Sequence, residues 1–146
     1  MIYDIRQATI YDYASAVAYA RHVLRLTPID RERQRVHAAA LEITPTPIER
    51  REGQDFFGNR ITWIAFDQPH DTLTVRVAAR IAVEQPVAVE PGATPAWEKA
   101  REAAFASADL SPKSPSHYLF PSRQVSLDPE IRDYAAQSFP PGRLVL

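Results

Sequence analysis

The sequence predicts a mainly β protein: an antiparallel β-sandwich over residues 1–85, followed by a proline-rich extension, 86–146, with two short helices. Three observations carry this. Residues 72–84 alternate, with Leu73, Val75, Val77, Ala79, Ile81 and Val83 on one face and Thr72, Thr74, Arg76, Ala78, Arg80 and Glu84 on the other. Period two over this length marks a half-buried antiparallel strand, because successive side chains leave opposite faces of a sheet. Upstream, shorter runs are closed by proline and Asp/Asn turns, the texture of a sandwich or barrel. After Glu84 the pattern changes, with Pro86, Pro91-Gly92 and Pro95 breaking the strands.

Taken in order, residues 2–13 form the first strand. Tyr3, Ile5, Thr9, Tyr11 and Tyr13 share a face on which Gln7 is the polar exception, and Asp4, Arg6 and Asp12 lie opposite. Residues 17–27 form the second, with His22, Leu24 and Leu26 on one side and Arg21, Val23 and Arg25 on the other. Pro28 stops it, since proline offers no ladder donor. Residues 34–44 form the third. Ala38-Ala39-Ala40 makes helix a rival, but the abrupt stop at Thr44-Pro45-Thr46-Pro47 and the flanking strands favour β. Residues 48–52 make a short fourth strand, 53–59 a turn, 61–66 an apolar fifth strand, and 67–71 the connection to 72–84. In the extension, Thr94-Pro95 is read as N-cap and first helical position, with Trp97, Ala100, Ala104 and Phe105 at helical spacing. Residues 110–121, with three prolines, read as extended. A second helix starts at Asp128-Pro129, carries Ile131, Tyr134, Ala135 and Phe139 as its apolar stripe, and ends at Pro140-Pro141-Gly142.

Composition narrows the function. With 146 residues and 45% hydrophobic content the chain can build a true core. Its formal net charge is -1, from 17 basic and 18 acidic residues. No basic excess exists to neutralise phosphates, which argues against nucleic acid. No apolar run approaches the roughly 20 residues of a membrane helix. Met1 leads directly into a strand, so no secretory signal is expected, and the cytoplasm is the default compartment. There are no cysteines, which removes disulfides, thiolate metal sites and a cysteine nucleophile together.

No residue set reads as catalytic, cofactor-binding or metal-binding. His22, His37, His70 and His117 are scattered, and a metal needs three or four converging ligands. His22 reads as a core-facing structural histidine, and His70, after Pro69, as a turn-orienting one. Ser114, Ser116 and His117 are neighbours in a proline-rich segment without the strand-to-helix elbow that nucleophilic catalysis uses. Four glycines do not build a phosphate loop. The mixed-charge runs 30–33 and 49–52 read as solvated edges that discourage strand addition. The residues singled out are structural: Asp55, Phe57, Gly58 and Asn59 as a tight turn in which Gly and Asn tolerate positive φ, and Pro69 and His70 in the next connection. Phe56 and Phe57 are expected to plug the end of the sheet.

An ordered set of small motifs carries a family resemblance. It comprises Tyr3-x-Ile5 with Thr9-x-Tyr11-x-Tyr13, Leu24-x-Leu26-x-Pro28, Leu41-x-Ile43-x-Pro45, Asp55-x-Phe57-Gly58-Asn59 and Pro69-His70-x-x-Leu73-x-Val75. Tyr118-Leu119-x-x-Ser122 and Asp128-Pro129 follow. The chain resembles the N-terminal region of bacterial transglutaminase-like proteins. The resemblance implies a β-rich accessory domain ahead of a papain-like core with a Cys-His-Asp triad acting on amide bonds. No triad residue maps onto any position here, so the expected role is a non-catalytic accessory domain whose partner is the catalytic core of the same polypeptide. The alternative is a freestanding β-sandwich interaction module. A homodimer through the C-terminal segment is also expected, because Trp97, Phe105, Tyr118, Leu119, Phe120, Ile131, Tyr134 and Phe139 would be uncovered without the core; the alternative is that both helices fold back on the sandwich and bury them. No cofactor is expected.

Overall fold

The computed structural model describes residues 1–90, 92–122 and 125–146; the expected break at Pro91 lies outside them. The chain divides into two compact units, Met1–Pro86 and Val87–Leu146.

The first unit contains β1 (Ile2–Val17), β2 (Ala20–Leu24), β3 (Gln34–Thr44), β4 (Glu49–Gln54), β5 (Arg60–Phe66) and β6 (His70–Val83). They form two antiparallel three-stranded sheets, ordered β1-β6-β3 and β2-β5-β4. The strongly alternating segment is β6, the centre of the first sheet. Leu73, Val75, Val77, Ala79 and Ile81 are buried, and Arg76, Ala78 and Arg80 between them are exposed. The apolar run of β5 is the centre of the second sheet. There Ile61, Thr62, Ile64, Ala65 and Phe66 are all buried while Arg60 and Trp63 are exposed, so the strand shows no simple alternation.

The two sheets meet where Ile64 and Phe66 of β5 pack with Leu73 and Val75 of β6. Tyr13, Ala20, Leu24, Leu26, Leu41 and Ile43 close around this cluster. Burying each large aliphatic side chain contributes about 1.5–3 kcal/mol, so this cluster is the main reason the sheets stay face to face.

Several boundaries differ from those the sequence suggests. β1 continues past Tyr13 to Val17, which pairs with His70 after an irregularity beyond Asp12. The second strand is correspondingly confined to Ala20–Leu24 instead of 17–27. β3 is a strand throughout, because Ala38, Ala39 and Ala40 pair with Arg80, Ala79 and Ala78; ladder pairing overrides the helical preference of alanine. A register shift between Val36 and Ala38 sets His37 in an irregularity, and the Thr44–Pro45 bond is cis. β4 reaches Gln54, two residues beyond the expected end, since its Glu52, Gly53 and Gln54 still pair with Thr62, Ile61 and Arg60.

The second unit holds α1 (Trp97–Phe105), α2 (Pro129–Ser138) and a 3-10 turn, Pro115–Tyr118. That turn replaces the extended segment expected over 110–121. Ser114 is fully buried, its Oγ accepts the Ser116 N–H, and Pro115 supplies a first residue already fixed in φ. α1 starts later than Thr94-Pro95, with Ala96 at its N-cap and no side-chain cap. Thr94 and Pro95 instead receive the chain end: Leu146 N–H donates to Thr94 Oγ1 at 3.2 Å and Val145 N–H to the Pro95 carbonyl at 3.1 Å. The Trp97 indole N–H donates to the Pro140 carbonyl at 3.1 Å. α2 starts at Asp128-Pro129 as the sequence indicates, with Asp128 Oδ1 accepting the Glu130 N–H at 2.8 Å. Its stripe is not a core face: Ile131, Tyr134 and Phe139 are exposed and only Ala135 is half-buried.

Candidate interaction surface

The residues singled out in the sequence fall in two places. Asp55, Phe57, Gly58 and Asn59 form the β4–β5 turn. The Asp55 carboxylate accepts the N–H of Phe57 at 3.0 Å, the N–H of Asn59 at 2.9 Å, the Asn59 side-chain amide at 3.2 Å and Arg25 Nε at 3.1 Å. Desolvation raises the Asp55 pKa, but the Arg25 and Asn59 hydrogen bonds, with that of Phe57, outweigh it and hold the carboxyl below the usual range. Gly58 takes φ 76°, and its N–H donates to the Asp55 carbonyl at 2.9 Å. Left-handed backbone there lets the chain turn back so that Asn59 reaches the same carboxylate. The two phenylalanines do not plug the sheet. Their rings stack edge to face 5.1 Å apart and remain exposed.

Pro69 belongs to the β5–β6 connection, whereas His70 opens β6 and is only 9% exposed. Its Nδ1 lies 3.0 Å from the Gln68 carbonyl, which only accepts, so Nδ1 carries the proton. The ring packs beside Phe66, centroids 4.8 Å apart, and edge-on to Tyr13. His22 also packs edge-on to Phe66, centroids 6.1 Å apart. Neither Nε2 atom has a hydrogen-bond partner among the described residues. Burial, and then the charge of His70, lower the His22 pKa. Sequence spacing separates these histidines by 48 positions; the sandwich brings them to one aromatic cluster. Ser114, Ser116 and His117 also sit together, but as a structural knot. Ser114 and Ser116 share a 2.7 Å hydroxyl contact, and His117 Nε2 faces the Ser111 backbone carbonyl at 2.9 Å. Among the described residues no cluster of three or more His, Asp or Glu is placed to hold a metal ion.

The feature that sequence reading missed is the outer face of the β2-β5-β4 sheet. Trp63, 41% exposed, is centred between Val23 and Arg51, and the adjacent row reads Arg21, Ala65, Glu49. Together they line an open recess of about 560 Å³. The indole leans over Gly53, where a Cβ would stand 2.9 Å from Trp63 Cζ3. Val23 is 47% exposed beside it, and the Arg21 guanidinium lies 5.4 Å from the Tyr19 ring centroid. Tryptophan and arginine are enriched at the hot spots of protein interfaces. The signal was available in the odd positions of residues 61–66, where Trp63 takes the face opposite Ile64 and Phe66.

Two antiparallel three-stranded sheets packed through one apolar cluster define a mainly β domain. The comparisons place that domain. The family model of the bacterial transglutaminase-like N-terminal region matches residues 3–82, the span of all six strands apart from their outermost residues. The chain belongs to that family. Among curated proteins it is similar to the uncharacterized protein Mb2599c of Mycobacterium bovis and the uncharacterized protein Rv2569c of Mycobacterium tuberculosis. Each is 30% identical over 147 aligned positions, covering 97% of this chain and 44% of the relative. The chain thus spans less than half the length of the relatives it matches. No solved structure matches it. Among the described residues, no helix is long and apolar enough to cross a membrane.

Proposed function

We propose that this chain is a non-catalytic accessory domain of a transglutaminase-like protein and that its partner is the remainder of the same polypeptide, including a Cys-His-Asp core. The observation that carries the reading is the family match over residues 3–82, combined with relatives more than twice as long. The cysteine-free sequence supports it, since the thiol chemistry of such a core needs a nucleophile this chain does not have.

The contact surface proposed for that core is the Trp63 face. Burying a half-exposed indole and Val23 while pairing Arg21 contributes what a central hot spot contributes, about 2 kcal/mol or more for the tryptophan. The test is to express residues 1–146 and the downstream remainder of the parent as separate chains and measure their association. Binding that Trp63→Asp weakens at least tenfold while the β circular dichroism is unchanged is the expected result. A parent reading frame that stops after Leu146 would overturn the reading in favour of a freestanding interaction module.

A further inference from the structure

β1 is an edge strand 16 residues long, and on its free side no other strand pairs with it among the described residues. Met1 and Val83 exchange both backbone bonds, at 2.7 and 2.8 Å. Antiparallel ladders alternate, so from that pair the odd-numbered residues of β1 bond toward β6. Asp4, Arg6, Ala8, Ile10 and Asp12 therefore aim their N–H and C=O groups at solvent. Asp4 is bound in a two-point pair with Arg80, at 2.8 Å on each bond. Neither Arg6 nor Asp12 forms an ion pair among the described residues, and both are exposed.

Arg6 and Asp12 stand three residues on either side of Thr9. We propose that the free edge of β1 pairs with the β1 edge of a second copy of this chain, antiparallel about a two-fold axis at Thr9. Residue i then faces residue 18 − i of the partner. Arg6 meets the partner's Asp12, and Asp12 meets the partner's Arg6, so a single contact is made twice, as two-fold symmetry requires. Ala8 faces the partner's Ile10, and all these positions carry outward backbone groups, so the ladder hydrogen bonds form in this register. On the opposite face Thr9 meets its own copy, a Thr–Thr pair of the kind that stabilises sheets, and Gln7 meets the partner's Tyr11. No like charges oppose one another. Nearby axes do worse. One at Ala8 sets Asp4 against the partner's Asp12, and one at Ile5 shortens the ladder and relies on Asp4, already committed to Arg80. Charges on an edge strand ordinarily block pairing; opposite charges at equal distances from one residue instead select one register.

The test is charge reversal in the 146-residue chain, read by light scattering across a concentration series, with circular dichroism confirming the fold. Wild type is expected to dimerise. Arg6→Asp alone and Asp12→Arg alone are each expected to weaken the dimer at least tenfold, because each sets two pairs of like charges face to face. Mixing the two singly reversed chains restores association, since Asp at 6 in one chain then meets Arg at 12 in the other, and the native Asp12 and Arg6 still match. Ala8→Pro, which deletes an N–H pointing away from β6, should also separate the dimer. A wild-type monomer at every concentration overturns the proposal. So does a dimer indifferent to both reversals, and so does one abolished by Ile131→Asp in α2 instead, which would place the interface on the C-terminal segment.

Discussion

Replacing Gly58 isolates the energy of one backbone conformation. Its φ is 76°, and a Cβ built there meets nothing within 4 Å. Any loss on substitution is therefore backbone strain, without a clash. An L-residue in the left-handed region costs about 1–2 kcal/mol relative to the ordinary wells. Against this, Gly→Ala removes freedom from the unfolded chain, an offset of about 0.4–1 kcal/mol. Gly58→Ala should thus destabilise by about 1 kcal/mol and Gly58→Val by about 1–3 kcal/mol, since β-branching fits that region least. Gly58→Asn should lose least, because asparagine tolerates positive φ. For a domain of this size about 1 kcal/mol lowers Tm by about 3–6 °C. Thermal denaturation of the series should rank Asn, Ala, Val in order of increasing loss. An unchanged Tm for both Ala and Val would refute the reasoning, because the Asp55–Asn59 turn would then be able to form without left-handed backbone.

Gly53→Ala fails by the opposite mechanism, pushing the Trp63 ring from its 2.9 Å approach; urea denaturation should show a loss that shrinks in a Trp63→Leu background, and an equal loss in both would place the strain elsewhere. Leu73, 1% exposed at the sheet interface, should cost about 2–5 kcal/mol as Leu73→Ala, read as a fall in urea midpoint. The depressed pKa of His22 means that the unfolded chain binds its proton more readily than the folded one. Its stabilising contribution is present above the ordinary histidine pKa of about 6.5 and is lost as pH falls through the lower folded value. Urea midpoints should fall from pH 7.5 to 5, less steeply in His22→Leu; identical slopes would remove His22 as the cause. Purified protein should turn over no amide substrate, and turnover that survives repurification but disappears in Ser116→Ala or His117→Ala would contradict this.

How much of the molecule was legible follows from which contacts are local. The alternation of β6 identified its buried face because a half-buried strand writes its environment residue by residue. Asp128-Pro129 marked the start of α2 because a cap is a three-residue event. The ends of β1 and β2 were not legible: whether Val17 belongs to one or the other depends on His70, 53 positions away. Thr94-Pro95 misled for the same reason. Their capping geometry is sound locally, but the returning residues 144–146 claim them first. The approach of His22 to His70 and the exposure of Trp63 depend on which strands become neighbours, and period-two patterning in a single strand does not encode neighbours.

That distinction bears on function. A catalytic site concentrates its chemistry in a few polar groups, yet the polar groups gathered here are used internally. Asp55 is spent on its turn, Asp4 on Arg80, and the serines of 114–117 on each other and the backbone. Apart from the unpartnered Nε2 atoms of His22 and His70, two surfaces stand out: an indole beside Val23 on one sheet, and, along the edge of the other, a row of backbone groups with no strand partner among the described residues. Neither can move a proton or attack a carbonyl. Both gain by excluding water or completing a ladder, as the two proposed contacts would. The two surfaces lie on different sheets of the sandwich, so occupation of the β1 edge by a second copy leaves the Trp63 face available to a catalytic core. Their perturbations should accordingly be separable: Arg6→Asp should disturb self-association without weakening core binding, and Trp63→Asp should do the reverse.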